Sequence, residues 1–294
     1  MKRLLVFTVS ISCFWAYQAF ASGQYCSAEF EEWGYIVLPY YNPFLPNDML
    51  ISRSVKIRNK SYVSCSFRIR FVRNPPQASF ESTVQYSITD PSGGQLLISE
   101  DALTDSSAAL HTPEIPPWHE RTVAYSISVP RGQLASPNYY NDWFTLVAQR
   151  SNSEVELDRK LIQLKLPVAS ISTLNLSGGG VGTAVDFGPL ETGAARSVIL
   201  EATSNENYSL QLASLYQGRL RLEPPVSGQD WSIDYKLTID GVPADLANEA
   251  LMIAGNGPSL GAHAHTLSFE ILETSNKRAG LYKDVITATI VPLH

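Results

Sequence analysis

Tyr140-Asn141-Asp142-Trp143-Phe144-Thr145-Leu146-Val147 and Tyr282-Lys283-Asp284-Val285-Ile286-Thr287-Ala288-Thr289 open on the same Tyr-x-Asp and continue as runs of β-branched and aromatic residues. Such runs are β-strands, and strict alternation, as in Thr287-Ala288-Thr289-Ile290, marks a strand with one buried face. Working outward from this pair, other segments match at a similar offset. Val84-Gln85-Tyr86-Ser87-Ile88 echoes Ile233-Asp234-Tyr235-Lys236-Leu237, and Val123-Ala124-Tyr125-Ser126-Ile127 echoes Thr266-Leu267-Ser268-Phe269-Glu270-Ile271. A repeat at a lag of about 142 to 149 residues is two copies of a domain rather than a solenoid.

The rest of the chain follows the same grammar. Val55-Lys56-Ile57-Arg58 and Phe67-Arg68-Ile69-Arg70-Phe71 alternate, and turn residues such as Asp90-Pro91-Ser92-Gly93-Gly94, Asp240-Gly241 and Gly255-Asn256-Gly257 separate the runs. Many short strands between regular turns predict an all-β fold of two immunoglobulin-like β-sandwiches. A helical period is nearly absent; Ala244 to Met252, with Pro243 at its start, predicts one short helix. The boundary between copies is placed near Val168, giving domains 22–168 and 169–294. Gly178-Gly179-Gly180 then falls inside the second copy as a turn.

Composition agrees. The chain has 294 residues, 44% hydrophobic and only 17% charged, with 18 glycines and 18 prolines. That is ample core material, and it lacks the compositional skew of collagen, coiled coils or disordered chains. A net charge of −6 disfavours nucleic acid as a partner, because phosphate is bound chiefly by Lys and Arg.

Residues 1–21 read as a secretory signal peptide. Met1-Lys2-Arg3 is basic, Leu4 to Tyr17 is apolar but too short to span a bilayer, and Ala19-Phe20-Ala21 is a small-x-small cleavage site. Cleavage removes Cys13, which leaves Cys26 and Cys65 in an exported chain. Such a pair predicts a disulfide, whose loop of about 40 residues is worth roughly 4 kcal/mol in the chain-entropy model. Two thiols alone cannot fill a zinc shell, and no nearby histidine completes one.

The second copy carries a resemblance. Asp186-Phe187-Gly188-Pro189-Leu190, Tyr208-Ser209-Leu210, Tyr235 before Asp240-Gly241, and the ending Ala279-Gly280-Leu281-Tyr282-Lys283-Asp284-Val285-Ile286-Thr287-Ala288-Thr289-Ile290 occur in order. Together they resemble the spore coat U-type pilin domain of archaic chaperone–usher pili over residues 169–294. Residues 22–168 match more loosely, through Tyr140-x-Asp142 and Gly132-Gln133. The resemblance implies an incomplete sandwich that lacks its seventh strand. That strand would come first from a periplasmic pilus chaperone and then, by donor-strand complementation, from an adjacent pilin subunit delivered by an outer-membrane usher. It implies no cofactor. The candidate lining of the acceptor groove is Leu174, Leu176, Val285, Ile286, Thr287 and Ile290.

The two halves differ in one respect. After the Tyr140 strand come the turn Ser151-Asn152-Ser153 and another strand-like run from Leu157 to Leu166, which can serve as the first domain's own last strand. After Pro292 only two residues remain, so the second domain is expected to be open. An open edge exposes unpaired backbone groups and invites strand addition. A chain that accepts a strand and carries a whole domain in place of a donor tail resembles the two-domain tip adhesin. The expected function is attachment to an abiotic surface or host ligand and biofilm formation, at the pilus tip on the cell surface after passage through the periplasm.

The contact surface is expected at the pole away from the linker, on the long connection from Glu100 to Glu120. Leu110, Ile115, Pro116, Pro117 and Trp118 are its candidates, because prolines lower the ordering cost and aromatics dominate interfaces. Trp118 could equally fold back as a core plug. Trp33-Gly34-Tyr35 and Tyr40-Tyr41-Asn42-Pro43-Phe44-Leu45-Pro46 fit either an exposed patch or core packing.

Three other readings stay open. A shaft or adaptor subunit would carry a free alternating donor tail, whereas residues 22–30 are short and contain Cys26. A carbohydrate-binding lectin module would need a polar site with an aromatic platform. An enzyme finds little support: there is no Gly-x-Ser-x-Gly, no His-Glu-x-x-His, and Gly178 to Gly182 lacks the lysine of a P-loop. His263-Ala264-His265 puts two imidazoles on one strand face, with no third metal ligand evident nearby.

Overall fold

A computed structural model describes residues 25–31, 34–74, 84–99, 108–226, 231–247, 251–255 and 257–293. The expected signal peptide, Trp33 and the first part of the Glu100–Glu120 connection lie outside these residues. The described residues form strands and turns without a helix, in two β-sandwiches.

The first sandwich uses β1 (Ala28–Phe30), β2 (Tyr35–Val37), β3 (Met49–Asn59), β4 (Phe67–Arg73), β5 (Ser87–Thr89), β6 (Leu97–Ser99), β7 (Leu110–His111), β8 (Glu120–Val129), β9 (Asn138–Arg150) and β10 (Glu156–Val168). One sheet runs β1-β3-β8-β5; the other runs β2-β10-β9-β4-β6, with β7 also on β4. Alternating apolar residues of both sheets fill the space between them, with Ile57, Phe67, Phe71, Ile127 and Phe144 fully buried. The strand from Leu157 to Leu166 lies within β10, which pairs antiparallel with β9 from Glu156↔Gln149 to Val168↔Asn138. Its other edge is taken by β2 in parallel, at Gln163↔Tyr35 through Lys165↔Val37. The last strand of this sandwich is therefore an interior strand.

The second sandwich uses β11 (Ser172–Leu176), β12 (Ala195–Ser204), β13 (Tyr208–Ser214), β14 (Arg219–Glu223), β15 (Ser232–Ile239), β16 (Val242–Ala244), β17 (Leu251–Ala254), β18 (Ser259–Ile271), β19 (Leu281–Lys283) and β20 (Ile286–Pro292). One sheet runs β11-β12-β18-β15-β14-β19, with β16 on β15, and the other runs β17-β13-β20.

The helix expected over Ala244–Met252 is not formed in its described parts. Asp240 and Gly241 both have positive φ, 50° and 81°. Two such central residues match the type I′ turn, which folds β15 straight back into β16. Pro243 is tolerated because β16 pairs with β15 alone among the described strands. Leu251–Ala254 pairs with β13.

A polar joint fixes where the two sandwiches meet. Asn205 is fully buried and donates its Nδ2 to the carbonyls of Ala135 (3.0 Å) and Ala169 (2.8 Å). Its Oδ1 accepts the Ile171 N–H at 2.9 Å. Leu293 N donates to Asn207 O at 2.8 Å, so the Pro292 end of β20 lies near this joint and its Ile286 end points away.

Candidate functional site

The repeat survives in three dimensions. Tyr140 donates its hydroxyl to Ser136 O at 3.0 Å, and Tyr282 donates to Arg278 O at 2.9 Å, each four residues back. These are the tyrosine corners of an immunoglobulin-like sandwich. Asp142 Oδ1 accepts from Trp143 N and Asp284 Oδ1 from Val285 N, both at 2.8 Å. So β9 and the β19–β20 segment are counterparts, and the Tyr-x-Asp of each is structural. Asp284 also accepts from Tyr235 Oη (2.7 Å), Ser214 Oγ (2.6 Å) and Tyr216 N (3.1 Å). Burial first, and the Asp284 carboxylate second, push the Tyr235 phenol upward, so it stays a neutral donor.

The counterparts differ in their neighbours. Where β9 has β10 on one edge, β20 pairs with β13 alone among the described strands, and β11 pairs with β12 alone. These two sheet edges flank a cavity of about 1120 Å³. Leu174, Leu176 and Ile286 line it, with Val285 on its wall. Its remaining apolar walls include Val185, Phe187 and Leu190 from the segment after β11, and Phe269 and Ala288 from the two sheets.

The candidate groove residues divide by parity. Ile286, Ala288 and Ile290 turn inward and are half-buried, whereas Thr287 and Thr289 are exposed. Thr287 is therefore corrected to an outward position, because neighbouring residues on a strand face opposite ways. Ile290 packs with Leu174 against Tyr208 and Leu210 beyond the cavity. Ala288 is an addition to the expected lining, although stepping by two from Ile286 finds it. Val185, Phe187 and Leu190 lie in an irregular segment whose sequence carries no period.

The second candidate region is the pole of the first sandwich opposite the joint. Phe30 N donates to Asp158 Oδ2 at 2.7 Å and Phe30 pairs with Ile57. The Asn59 end of β3 and the Glu120 end of β8 thus share the Glu156 end of β10, away from Val168. Trp118 lies here, 50% exposed, with its edge against Tyr62 at a centroid distance of 5.1 Å. Tyr62 is 86% exposed, and Tyr25, beside Cys26, is 81% exposed. The disulfide Cys26–Cys65 is formed, with Cα atoms 5.9 Å apart.

The other loop candidates separate here. Pro116 is exposed and Pro117 half-buried. Leu110 (4% exposed) and Ile115 (1%) belong to the core and offer no contact surface. Leu110 is drawn in because β7 pairs with β4, and Ile115 because it exchanges backbone hydrogen bonds with Cys65 at 2.8 and 3.0 Å. Tyr62 carries no signal of its own in the sequence, since nothing local ties it to a tryptophan 56 positions away.

The remaining motifs settle into structural places. Tyr41 is buried and donates to Pro130 O, while Tyr35 and Tyr40 are exposed. His265 is buried with both nitrogens engaged, Nε2 with Tyr208 Oη (3.0 Å) and Nδ1 with Asp240 Oδ2 (2.9 Å). It bridges the two sheets of the second sandwich and has no lone pair free for a metal.

No family model matches the chain, and no curated protein matches it. Solved structures do. The chain is similar to the CsuC–CsuE chaperone–tip adhesion subunit pre-assembly complex from archaic chaperone–usher Csu pili of Acinetobacter baumannii, at 12% identity, covering 87% of this chain and 96% of that one, TM-score 0.41. It is similar to the CupB6 tip adhesin from Pseudomonas aeruginosa, at 10% identity, 90% and 94% coverage, TM-score 0.38. It is also similar to CfaE, the adhesive subunit of CFA/I fimbria of enterotoxigenic Escherichia coli, at 13% identity, 91% and 81% coverage, TM-score 0.36.

Proposed function

We propose that this chain is a secreted tip adhesin of an archaic chaperone–usher pilus. Residues 22–168 make the attachment, and residues 169–294 accept a donor strand from a periplasmic chaperone and then from the neighbouring subunit. The observation that carries this reading is the contrast at the repeated strand: β10 occupies one edge of β9, whereas the matching edge of β20 borders an apolar cavity. Unpaired strand edges and exposed apolar walls are costly in water, and an extended segment that pairs with β20 relieves both. The family resemblance of residues 169–294 gives that segment its source.

Attachment is assigned to the pole bearing Tyr62 and Trp118, which faces away from the groove. The disulfide fits an exported protein. The role is one of binding, not catalysis, and the usher and a tip position follow from the same assembly reading.

Co-expression with a periplasmic pilus chaperone tests the groove. The expected result is a 1:1 complex and a soluble yield raised at least tenfold, with the complex lost in Ile286→Asp. A full-length chain equally soluble alone, with no complex, would overturn the proposal.

A further inference from the structure

Resting on the attachment reading above, we infer that Asn59 is the positioning residue of the Tyr62–Trp118 patch, one buried amide that holds both aromatic loops in place. Asn59 ends β3, and its side chain is wholly buried. A buried amide is costly unless hydrogen-bonded. Here its Nδ2 lies 2.7 Å from Val63 O, 2.9 Å from Ile115 O and 3.2 Å from Pro116 O. An amide has two N–H groups, so they are shared among three carbonyls. Its Oδ1 accepts from Ser61 N at 3.0 Å and from the Ser61 hydroxyl. Its backbone N–H donates to His119 O at 2.9 Å.

Those partners bracket the two exposed rings. Ser61 and Val63 flank Tyr62; Ile115, Pro116 and His119 flank Trp118. Trp118 sits at φ 63°, in the left-handed region that a tryptophan adopts only when its surroundings dictate it. The disulfide and the Cys65–Ile115 backbone pair anchor the loops from below. Ser61 Oγ also donates to Val63 O and His119 N to Pro116 O, each within its own loop, whereas among the described residues Asn59 alone bonds both carbonyls and so ties one loop to the other. A contact patch gains affinity when its rings are fixed before binding. Along the sheet Lys56, Arg58, Glu31 and Glu120 pair with one another and Lys60 pairs with Glu29, while Glu114 and Arg121, close to Trp118 in sequence, are exposed. The two exposed rings are the apolar part of this pole, and an uncharged apolar surface is what they would meet.

Asn59→Asp keeps the shape but replaces the donating nitrogen by an oxygen. The full chain, with tryptophan labelled as 6-fluorotryptophan, reports Trp118 by a fluorine NMR resonance assigned through Trp118→Phe. Attachment is measured on polystyrene beads, and chaperone complex formation in parallel. In Asn59→Asp we expect the Trp118 resonance to shift or broaden and bead attachment to fall at least tenfold, with complex formation kept. An unchanged resonance would overturn the positioning role. A shifted resonance with unchanged attachment would uphold the positioning role and overturn the attachment reading of this patch. If Asn59→Asp does not fold, Tyr62→Ala decides. With Asn59 intact, the Trp118 resonance should keep its wild-type linewidth and move only by the loss of one neighbouring ring. Broadening into several resonances would mean that ring stacking, and not Asn59, fixes the loop.

Discussion

β9 and the continuous β19–β20 segment begin alike, with a tyrosine corner and a self-capped aspartate, and then part ways. From Phe144 to Gln149, β9 is buried on both faces, between β10 and β4. No residue of β20 reaches that burial; its inward side chains are all half-buried. The two strands are similarly apolar, so the difference lies in what stands beside them. Ile162 and Leu164 of β10 are buried in the first core. The matching space in the second sandwich is the cavity walled by Leu174, Leu176 and Ile286. One repeated strand pattern thus stands in a completed core in the first sandwich and beside a cavity in the second.

The largest expected effect comes from erasing that difference. A copy of residues 151–168, the turn and β10, appended after His294 should fill the groove of the second sandwich. Covering three apolar side chains at about 1.5–3 kcal/mol each stabilises that sandwich by about 5 kcal/mol. For a domain of this size that raises its thermal transition by about 10 °C or more. Calorimetry of the full chain should show the lower transition rising toward the upper one. An unmoved lower transition would mean that the groove does not take a strand of this kind.

Much of this contrast is readable in the sequence, for a physical reason. A strand half-buried in a sandwich writes its burial as a period of two, and a tyrosine corner needs a fixed offset from its strand. Tyr140 and Tyr282 therefore align the two copies by sequence alone. Asp240-Gly241 is as legible, because few residue pairs accept two positive φ values. What is lost in the sequence is long-range or aperiodic. Leu110 sits in a two-residue strand and Ile115 at a single bridge to Cys65, both too short to show a period, so nothing local reveals that they turn inward. Asn59 looks like any polar residue at a strand end; its partners at Ile115 and Pro116 are brought near only by the fold. The helix expected at Ala244–Met252 fails because short apolar runs with alanine and leucine fit either structure, and pairing with β13 and β15 decides the matter.

A middle-sized effect separates the sandwiches by their cross-link. Cys26–Cys65 spans 39 residues and lies wholly in the first sandwich. Replacing both cysteines by serine should lower the stability of that sandwich by up to about 4 kcal/mol, since the loop is then free in the unfolded chain. Urea unfolding followed by hydrogen exchange should show the loss in β1, β3 and β4 and none in β13 or β20. Equal losses in both sandwiches would mean that they unfold as one unit through the Asn205 joint.

The smallest effect is electrostatic, and it separates the sandwiches by how their carboxylates are held. In the first, Glu120 lies 2.5 Å from Lys56 and 3.1 Å from Arg58. Hydrogen bonds from Lys56 and then Arg58 hold its carboxyl below the usual range. In the second, burial pushes the Asp240 carboxyl up, but bonds from Thr266 N and His265 outweigh it and leave it lowered as well. A carboxyl whose folded pKa is depressed stabilises the fold above its unfolded value, and that contribution is lost as pH falls through the folded one. Both sandwiches should therefore weaken on acidification below the ordinary carboxylate range of about 4. Salt tells them apart. The Lys56–Glu120 pair is exposed and is screened at high ionic strength, whereas Asp240 is held by a backbone N–H and a buried imidazole at contact distance. In about 1 M sodium chloride the acid loss of the first sandwich should shrink while that of the second persists, as read from the two thermal transitions at pH 7 and at about pH 2. A loss that salt suppresses equally in both would place the Asp240 contribution on exposed charge as well.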